Sequence, residues 1–342
     1  MDMTLVYEVQ HNIAFGPLIA LYFFLAGLSA GLLLLSAMGS VFGWKQMRLL
    51  AKPLSALALA TIIPGGLSLL VDLGQPLRAL YLFVNFNPLS VMSWGSYILL
   101  LYNLVAAVYA WLVWRDDSRQ KAWGWAGIIA AVALGLYTGV LLAVAPGHPL
   151  WNSAVVPVLF LVSGIVAALS LLSVCQALPF GTLIPQTAAD DALHSLKVLF
   201  VFLELILVAA HLIILGLIGS SGTEVAKYLV AGARSFSFLG IQIVLGTIIP
   251  LAIVAFAHRS SAALGVAGFL SLVGIMALRY NFVIAGQELP AQGTLLNTLE
   301  GGGAVWAYVA ALLALGGVLG CVLPNLLGKY CGNSPSSTRV AS

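Results

Sequence analysis

The chain has 342 residues, of which 61% are hydrophobic and only 7% charged, with a formal net charge of +3. Soluble globular chains carry about 25% charged residues, so this one cannot cover its surface in water and reads as a polytopic membrane protein. The small net charge excludes a role resting on a basic, nucleic-acid-binding surface. The opening MDMTLVYEVQ is acidic and lacks the basic region of a cleaved signal peptide, so the first hydrophobic segment is expected to stay in place.

A membrane-spanning helix needs about 20 mostly apolar residues. Nine segments meet this length, at residues 15–42, 49–71, 90–113, 122–145, 153–177, 195–219, 235–257, 262–285 and 304–327. The expected fold is all-α, with nine transmembrane helices and no soluble domain between them. The tail GNSPSSTRVAS is small and polar, and is expected to be disordered.

Orientation follows from Lys and Arg in the short loops. One side receives Lys45, Arg48, Lys52, Arg115, Arg119, Lys121, Lys197, Arg259, Lys329 and Arg339, ten in all, and the other receives three, Arg78, Lys227 and Arg234. The N-terminus is therefore expected outside and the C-terminus inside. The outer side is periplasmic if the host is Gram-negative.

In chain order, the first distinctive stretch is LYFFLAGLSAG, residues 21–31, where Gly27 and Gly31 form a GxxxG pattern that lets backbones approach closely. Tyr22 belongs to the same stretch. Next comes the loop DLGQPLRALYLFVNFNPLSVMSWG, residues 72–95. Gly74, Pro76 and Pro88 break it, yet Leu80, Tyr81, Phe83 and Phe86 make it apolar and aromatic, like an interface core. Asp72, Arg78, Asn85 and Ser90 can orient a ligand headgroup or fix the loop, and Trp94 stands beside them. Ser90 also reads as a helix cap, and Asp72 with Arg78 as an ion pair. Further on, LGLYTGVLLAVAPGHPLWN places Tyr137 within a span and Trp151 and Asn152 at its outer end. Phenol and amide groups at this depth suit a quinone, whose carbonyls or hydroxyls sit on an apolar tail. They also suit the aromatic belt of any membrane protein.

Charges within a span are costly, by about 2.5–3.5 kcal/mol on insertion scales. Lys197, Glu204 and His211 recur every seven residues in KVLFVFLELILVAAHLIILG, so they share one helix face. Each step rises about 10.5 Å, too far for direct contact but suited to marking a hydrated path. Arg279, in LRYNFVIAGQELP, can neutralise Glu204 if the two helices face each other. A packing ion pair and a proton path are both open readings. Cys175, Cys321 and Cys331 are scattered, and none neighbours a histidine, so no metal site is expected. Of the five histidines only His211 is well inside a span, which leaves no matched pair for transmembrane haems.

Taken in order, YFFLAGLSAG, NPLSVMSWG, YTGVLLAV with HPLWN, PVLFLVSG, FLELILV and LRYNFVIAGQ resemble the NrfD-like family, membrane subunits of polysulphide reductase, formate-dependent nitrite reductase and related complexes. The resemblance implies two four-helix bundles. These would be a quinol-binding bundle at 1–150 and a second at 151–288 with a possible proton path, followed by an outer loop and ninth helix at 289–330 and a cytoplasmic tail at 331–342. It implies a quinol, menaquinol being the expected form, near the outer face, with no haem or iron–sulphur cluster in this chain. It implies a periplasmic, ferredoxin-like iron–sulphur partner that serves a molybdopterin or multihaem catalytic subunit. Tyr137 matches the family's fourth-helix tyrosine near the quinone. Tyr22 falls where relatives carry histidine or tyrosine. Glu204 and Arg279 match the charged positions of the sixth and eighth helices. Asp72 ends a span at the quinol face and is the expected proton or quinol group. A chain without a redox centre would have to hold its quinol beside the partner's nearest cluster, and the outer loop would then roof the pocket and dock the partner. A secondary transporter, for which IIPGG and TIIP are faint signals, and a passive anchor are the competing readings.

Overall fold

A computed structural model describes residues 15–74, 81–177, 191–217, 219–256, 260–288 and 303–331. Among these, every regular element is helical, and nine helices are long and apolar enough to cross a membrane. The protein is a multi-pass integral membrane protein. The spans are α1 (Pro17–Phe42), α2 (Lys45–Asp72), α4 (Val91–Trp114), α5 (Gln120–Ala143), α6 (Val155–Ala177), α7 (Asp191–Leu217), α10 (Ser261–Glu288), α11 (Gly303–Cys331) and a composite seventh span. That seventh span runs from a π-helical segment, Phe236–Ile248, into α9 (Ile249–Phe256). Two short helices were not foreseen: α3 (Tyr81–Val84) within the first long loop and α8 (Ser220–Ala231) before the seventh span.

Local sequence sets these limits. Pro17 opens α1, where a missing N–H costs nothing, and Gly43 closes it at φ 69°, a left-handed conformation that glycine adopts without strain. Gly74 does the same after α2 at φ 66°. Ser90 caps α4 by accepting a hydrogen bond from the Ser93 amide at 3.4 Å, as one of its two sequence readings expected.

α1 is the centre of the molecule: its most apolar 18-residue window is wholly buried, and it packs on α2, α5, α6 and α10. α11 is peripheral and rests mainly on α2. The GxxxG of α1 meets α6, because a Cβ on Gly31 would run into the Gly164 backbone, and a Cβ on Gly164 into that of Gly27. Replacing Gly164 by leucine should therefore push α1 from α6 and cost about 1–3 kcal/mol or more. The check is the yield of monodisperse protein in mild detergent, which should fall sharply.

Serine–tyrosine bonds tie α4 to α1, and Ser29 and Ser36 also bond carbonyls of α2. Ser29 Oγ donates to the Ala58 carbonyl at 2.7 Å and shares a 2.7 Å bond with the Tyr102 hydroxyl. Ser36 and Ser40 meet Tyr109 in the same way, at 3.2 and 2.8 Å. Each such bond in a membrane is worth about 0.6 kcal/mol. The π segment is held by other means: Thr247 Oγ1 donates to the Gln242 carbonyl five residues back at 3.1 Å, and Gly246 lies directly against Gly274 of α10. Extended π-helix is rare and often marks functional regions.

Candidate functional site

Asp72, the last residue of α2, brings its carboxylate beside the start of α1; a Cβ on Gly16 would lie 3.4 Å from Asp72 Oδ1. Tyr22, a turn and a half into α1, is buried and lies close enough to Tyr137 of α5 for the two phenols to interact electrostatically. The Tyr137 phenol occupies the space above Gly95 of α4, where any Cβ would collide with it. Gly95 thus makes the cradle that brings α4 and α5 together, with Tyr22 of α1 in the neighbourhood of the Tyr137 phenol. Among the described residues neither the Tyr22 nor the Tyr137 hydroxyl has a hydrogen-bond partner. Tyr102 and Tyr109, which are fully buried, are both bonded to serines. Fully buried hydroxyls are normally paired; Tyr22 and Tyr137 instead keep a slight exposure, which leaves their hydroxyls open to a ligand.

The rest of this end is fixed by aromatic contacts. Trp94 Nε1 donates to the Pro88 carbonyl at 2.9 Å, and its ring meets Phe86 edge-on at 5.2 Å. Outside this brace, Tyr81, Val84 and Leu89 stand exposed, Leu89 at 93%. Trp151 is buried, and its indole donates to the Phe282 carbonyl of α10 at 2.5 Å. His148 Nδ1 bonds the Gly286 carbonyl at 2.7 Å, and Gln287 holds both the amide and the carbonyl of Phe15 at 2.9 Å. The loop of Trp151 is thereby tied to α10, with Asn152 exposed beside it. Arg78 and Leu80 lie outside the described residues, as does the side chain of Phe83. Gly27 sits at the α1–α6 crossing, where a Cβ would come 3.1 Å from Arg279 Nη2; its open side accommodates the arginine.

The three ionisable residues of α7 do share a face, and it is the buried one: Lys197, Glu204 and His211 are each at most 5% exposed and alternate with Leu193, Val201, Val208 and Leu215. Lys197 Nζ donates to Ser173 of α6 at 3.2 Å. Arg279 is fully buried. Its Nη2 donates to the Phe160 carbonyl at 2.8 Å and to Ser163 at 2.7 Å, and its guanidinium lies 3.8 Å over the Phe160 ring. Glu204 and Arg279 interact electrostatically without making a hydrogen-bonded ion pair. His211 lies against Phe282 with ring centroids 5.2 Å apart. Neither of its nitrogens is in hydrogen-bonding geometry with a described residue, although the Leu150 backbone is near. Arg279 Nε and Nη1 are likewise unpaired.

Sequence reading missed two polar groups. Asn281 donates to Gln242 at 2.9 Å and accepts from Ser237 at 2.7 Å, which joins α10 to the π segment. Gln242 is an amide in an apolar run, and Asn281 follows Arg279 by two residues; amides at membrane depth were the available signal. Farther out, Arg234 pairs with Glu288, and Tyr228 of α8 donates to Glu288 at 2.9 Å. Burial first, and then the Glu288 carboxylate, pushes the Tyr228 phenol above its ordinary 10.0. The same carboxylate raises the Arg234 guanidinium above its ordinary value.

Residues 6–291 match the protein family described as Polysulphide reductase, NrfD. The sequence is 30% identical to a polysulfide reductase chain of Wolinella succinogenes, over 79% of this protein and 93% of the relative. It is 27% identical to a selenate reductase subunit of Mesobacillus selenatarsenatis, over 81% of this protein and 75% of the relative. It is 32% identical to the Hdr-like menaquinol oxidoreductase integral membrane subunit of Archaeoglobus fulgidus, over 43% of this protein and 37% of the relative. With a match that spans most of its length and all but its last helix, this protein belongs to the NrfD, polysulphide reductase family.

Proposed function

We propose that the protein is the quinone-reactive membrane subunit of a respiratory oxidoreductase complex, in a cytoplasmic membrane with its N-terminus on the outer, periplasmic side. The observation that carries this reading is the pair of phenols without hydrogen-bond partners among the described residues, Tyr22 and Tyr137, the latter over Gly95, on the side of the molecule where Asp72 ends its span. The names of the relatives, one of them a menaquinol oxidoreductase subunit, favour menaquinol as the substrate. The ten-to-three division of Lys and Arg favours the periplasmic side.

Hydroxyl donors between packed helices fit a quinol headgroup. Oxidation of a quinol releases two electrons and two protons. Tyr137 and Tyr22 orient the oxygens, and Asp72, at the membrane edge, accepts a proton and passes it to solvent. Spans one to four form the quinol-binding half. Electrons leave to an iron–sulphur partner docked on the exposed apolar cap of Tyr81, Val84, Phe86 and Leu89, and from there reach a catalytic subunit. In the other half, Lys197, Glu204, Arg279 and His211 supply ionisable groups, and the nitrogens of Arg279 and His211 that lack hydrogen-bond partners among the described residues are ones that water would bridge. This supports a proton route between the two faces.

The test is the Asp72→Asn variant in the assembled complex. Quinol-dependent turnover should fall at least tenfold while the partner subunits still co-purify. Unchanged turnover would favour a passive anchor.

A further inference from the structure

A second feature lies away from the phenols. A cavity of about 630 Å³ runs between α1, α2, α6, α10 and α11, walled by Leu28, Leu57, Leu171, Val273, Gly317 and Cys321 among others. Its lining is almost wholly apolar. Thr61 is a polar exception, and its hydroxyl is already spent on the Leu57 and Ala58 carbonyls at 3.0 and 3.1 Å. The walls therefore offer little to a quinone or any other polar headgroup. Water is disfavoured there, because a bound water needs two to four polar partners.

Two details show what the cavity is shaped to take. Glycines on α11 form one wall, and a Cβ on Gly317 would meet nothing within 4 Å. Two of its lining residues, Phe269 at 59% and Cys321, are also exposed on the outer surface of spans α10 and α11, so the cavity borders the lipid-facing side, where hydrocarbon chains are the medium. Its lower wall reaches Pro53, one residue from a cationic edge. There Lys52, Arg48, Arg115 and Lys329 outnumber Asp116 and Asp117, and Lys52 pairs with Asp116 at 2.7 Å. Trp114 anchors this edge: its indole donates to the Lys52 carbonyl at 3.1 Å, and α11 passes beside it at Gly328. Tryptophan with Lys and Arg is the signature of a headgroup level.

We infer that this cavity is a structural binding site for one acyl chain of an anionic phospholipid whose phosphate lies at the Lys52 edge. The acyl chain fills the space between the peripheral α11 and the core, and so fastens the ninth helix, which the protein itself buries least. This inference does not depend on the quinol reading, since the two sites use different residues and different chemistry.

The test uses the full-length protein purified in mild detergent and examined by native mass spectrometry. Wild type should retain a single phospholipid. Gly317→Phe and Val273→Trp, which fill the cavity from opposite walls, should each lose it. A second measurement needs no variant: alkylation of Cys175 and Cys321 by N-ethylmaleimide should quicken several-fold on exhaustive delipidation and slow again when phosphatidylglycerol is added. Absence of retained lipid in the wild type, its persistence in a folded variant, or unchanged alkylation would overturn the inference. So would finding that the retained molecule is an isoprenoid quinone.

Discussion

Glu204→Gln is expected to harm the protein more than Arg279→Met, although Arg279 is the larger and more deeply buried residue. The reason is that the two partners have different ways out. A carboxyl left alone in hydrocarbon can take up a proton and become neutral, whereas a guanidinium does not give one up. Glu204→Gln leaves Arg279 with Phe160, Ser163 and a carbonyl, but without a counter-charge. Breaking a buried charge pair in direct contact by removing one partner costs about 3–5 kcal/mol; Glu204 and Arg279 interact without a hydrogen bond, so that range is the upper bound for Glu204→Gln. Arg279→Met leaves a carboxyl that neutralises itself, so its cost should fall clearly below that range. The double variant should recover most of the loss of Glu204→Gln, since it removes both charges. Chemical denaturation in detergent, read as a double-mutant cycle, checks all three values. Equal losses in the two single variants, with no recovery in the double, would mean that the charges do not support one another.

The second large effect concerns the tyrosines, and it splits activity from stability. Tyr137→Phe deletes a hydroxyl that has no partner among the described residues, so stability should be unchanged within about 0.5 kcal/mol. Quinol-dependent turnover of the assembled complex should nevertheless fall by one to two orders of magnitude. Tyr102→Phe deletes a hydroxyl bonded to Ser29. It should lose roughly 0.6 kcal/mol and leave turnover near wild type. Should the phenotypes come out reversed, Tyr137 would be the structural residue and the phenols would have no part in quinol binding.

What the sequence revealed, and what it hid, follows from periodicity. Apolar length is a strong signal, and all nine spans appear within a few residues of their expected limits. The seven-residue spacing of Lys197, Glu204 and His211 was equally legible, because a helix face is fixed by arithmetic. Partners across helices were not. That Gly27 faces Arg279, that Trp151 bonds α10, and that Tyr137 lies over Gly95 depend on how helices cross, which no local pattern encodes. The π segment was hidden for a similar reason: its composition is that of any apolar span, and only the five-residue offset of Thr247 and Gln242 gives it away. The pairing of Asn281 with Gln242 is equally illegible, because the two amides lie in different spans and only the helix crossing brings them together.

Where the quinol sits decides the rest, and photolabelling tests that most directly. The assembled complex in native membranes would be irradiated with a photoreactive quinone analogue and the labelled peptides mapped by mass spectrometry. Label should concentrate on the segments that carry Tyr22, Asp72, Gly95 and Tyr137, and excess menaquinol should suppress it. Suppressible label confined to the opposite end of the helices, around Lys52, Cys175 and Lys197, would contradict a quinol site beneath the phenols.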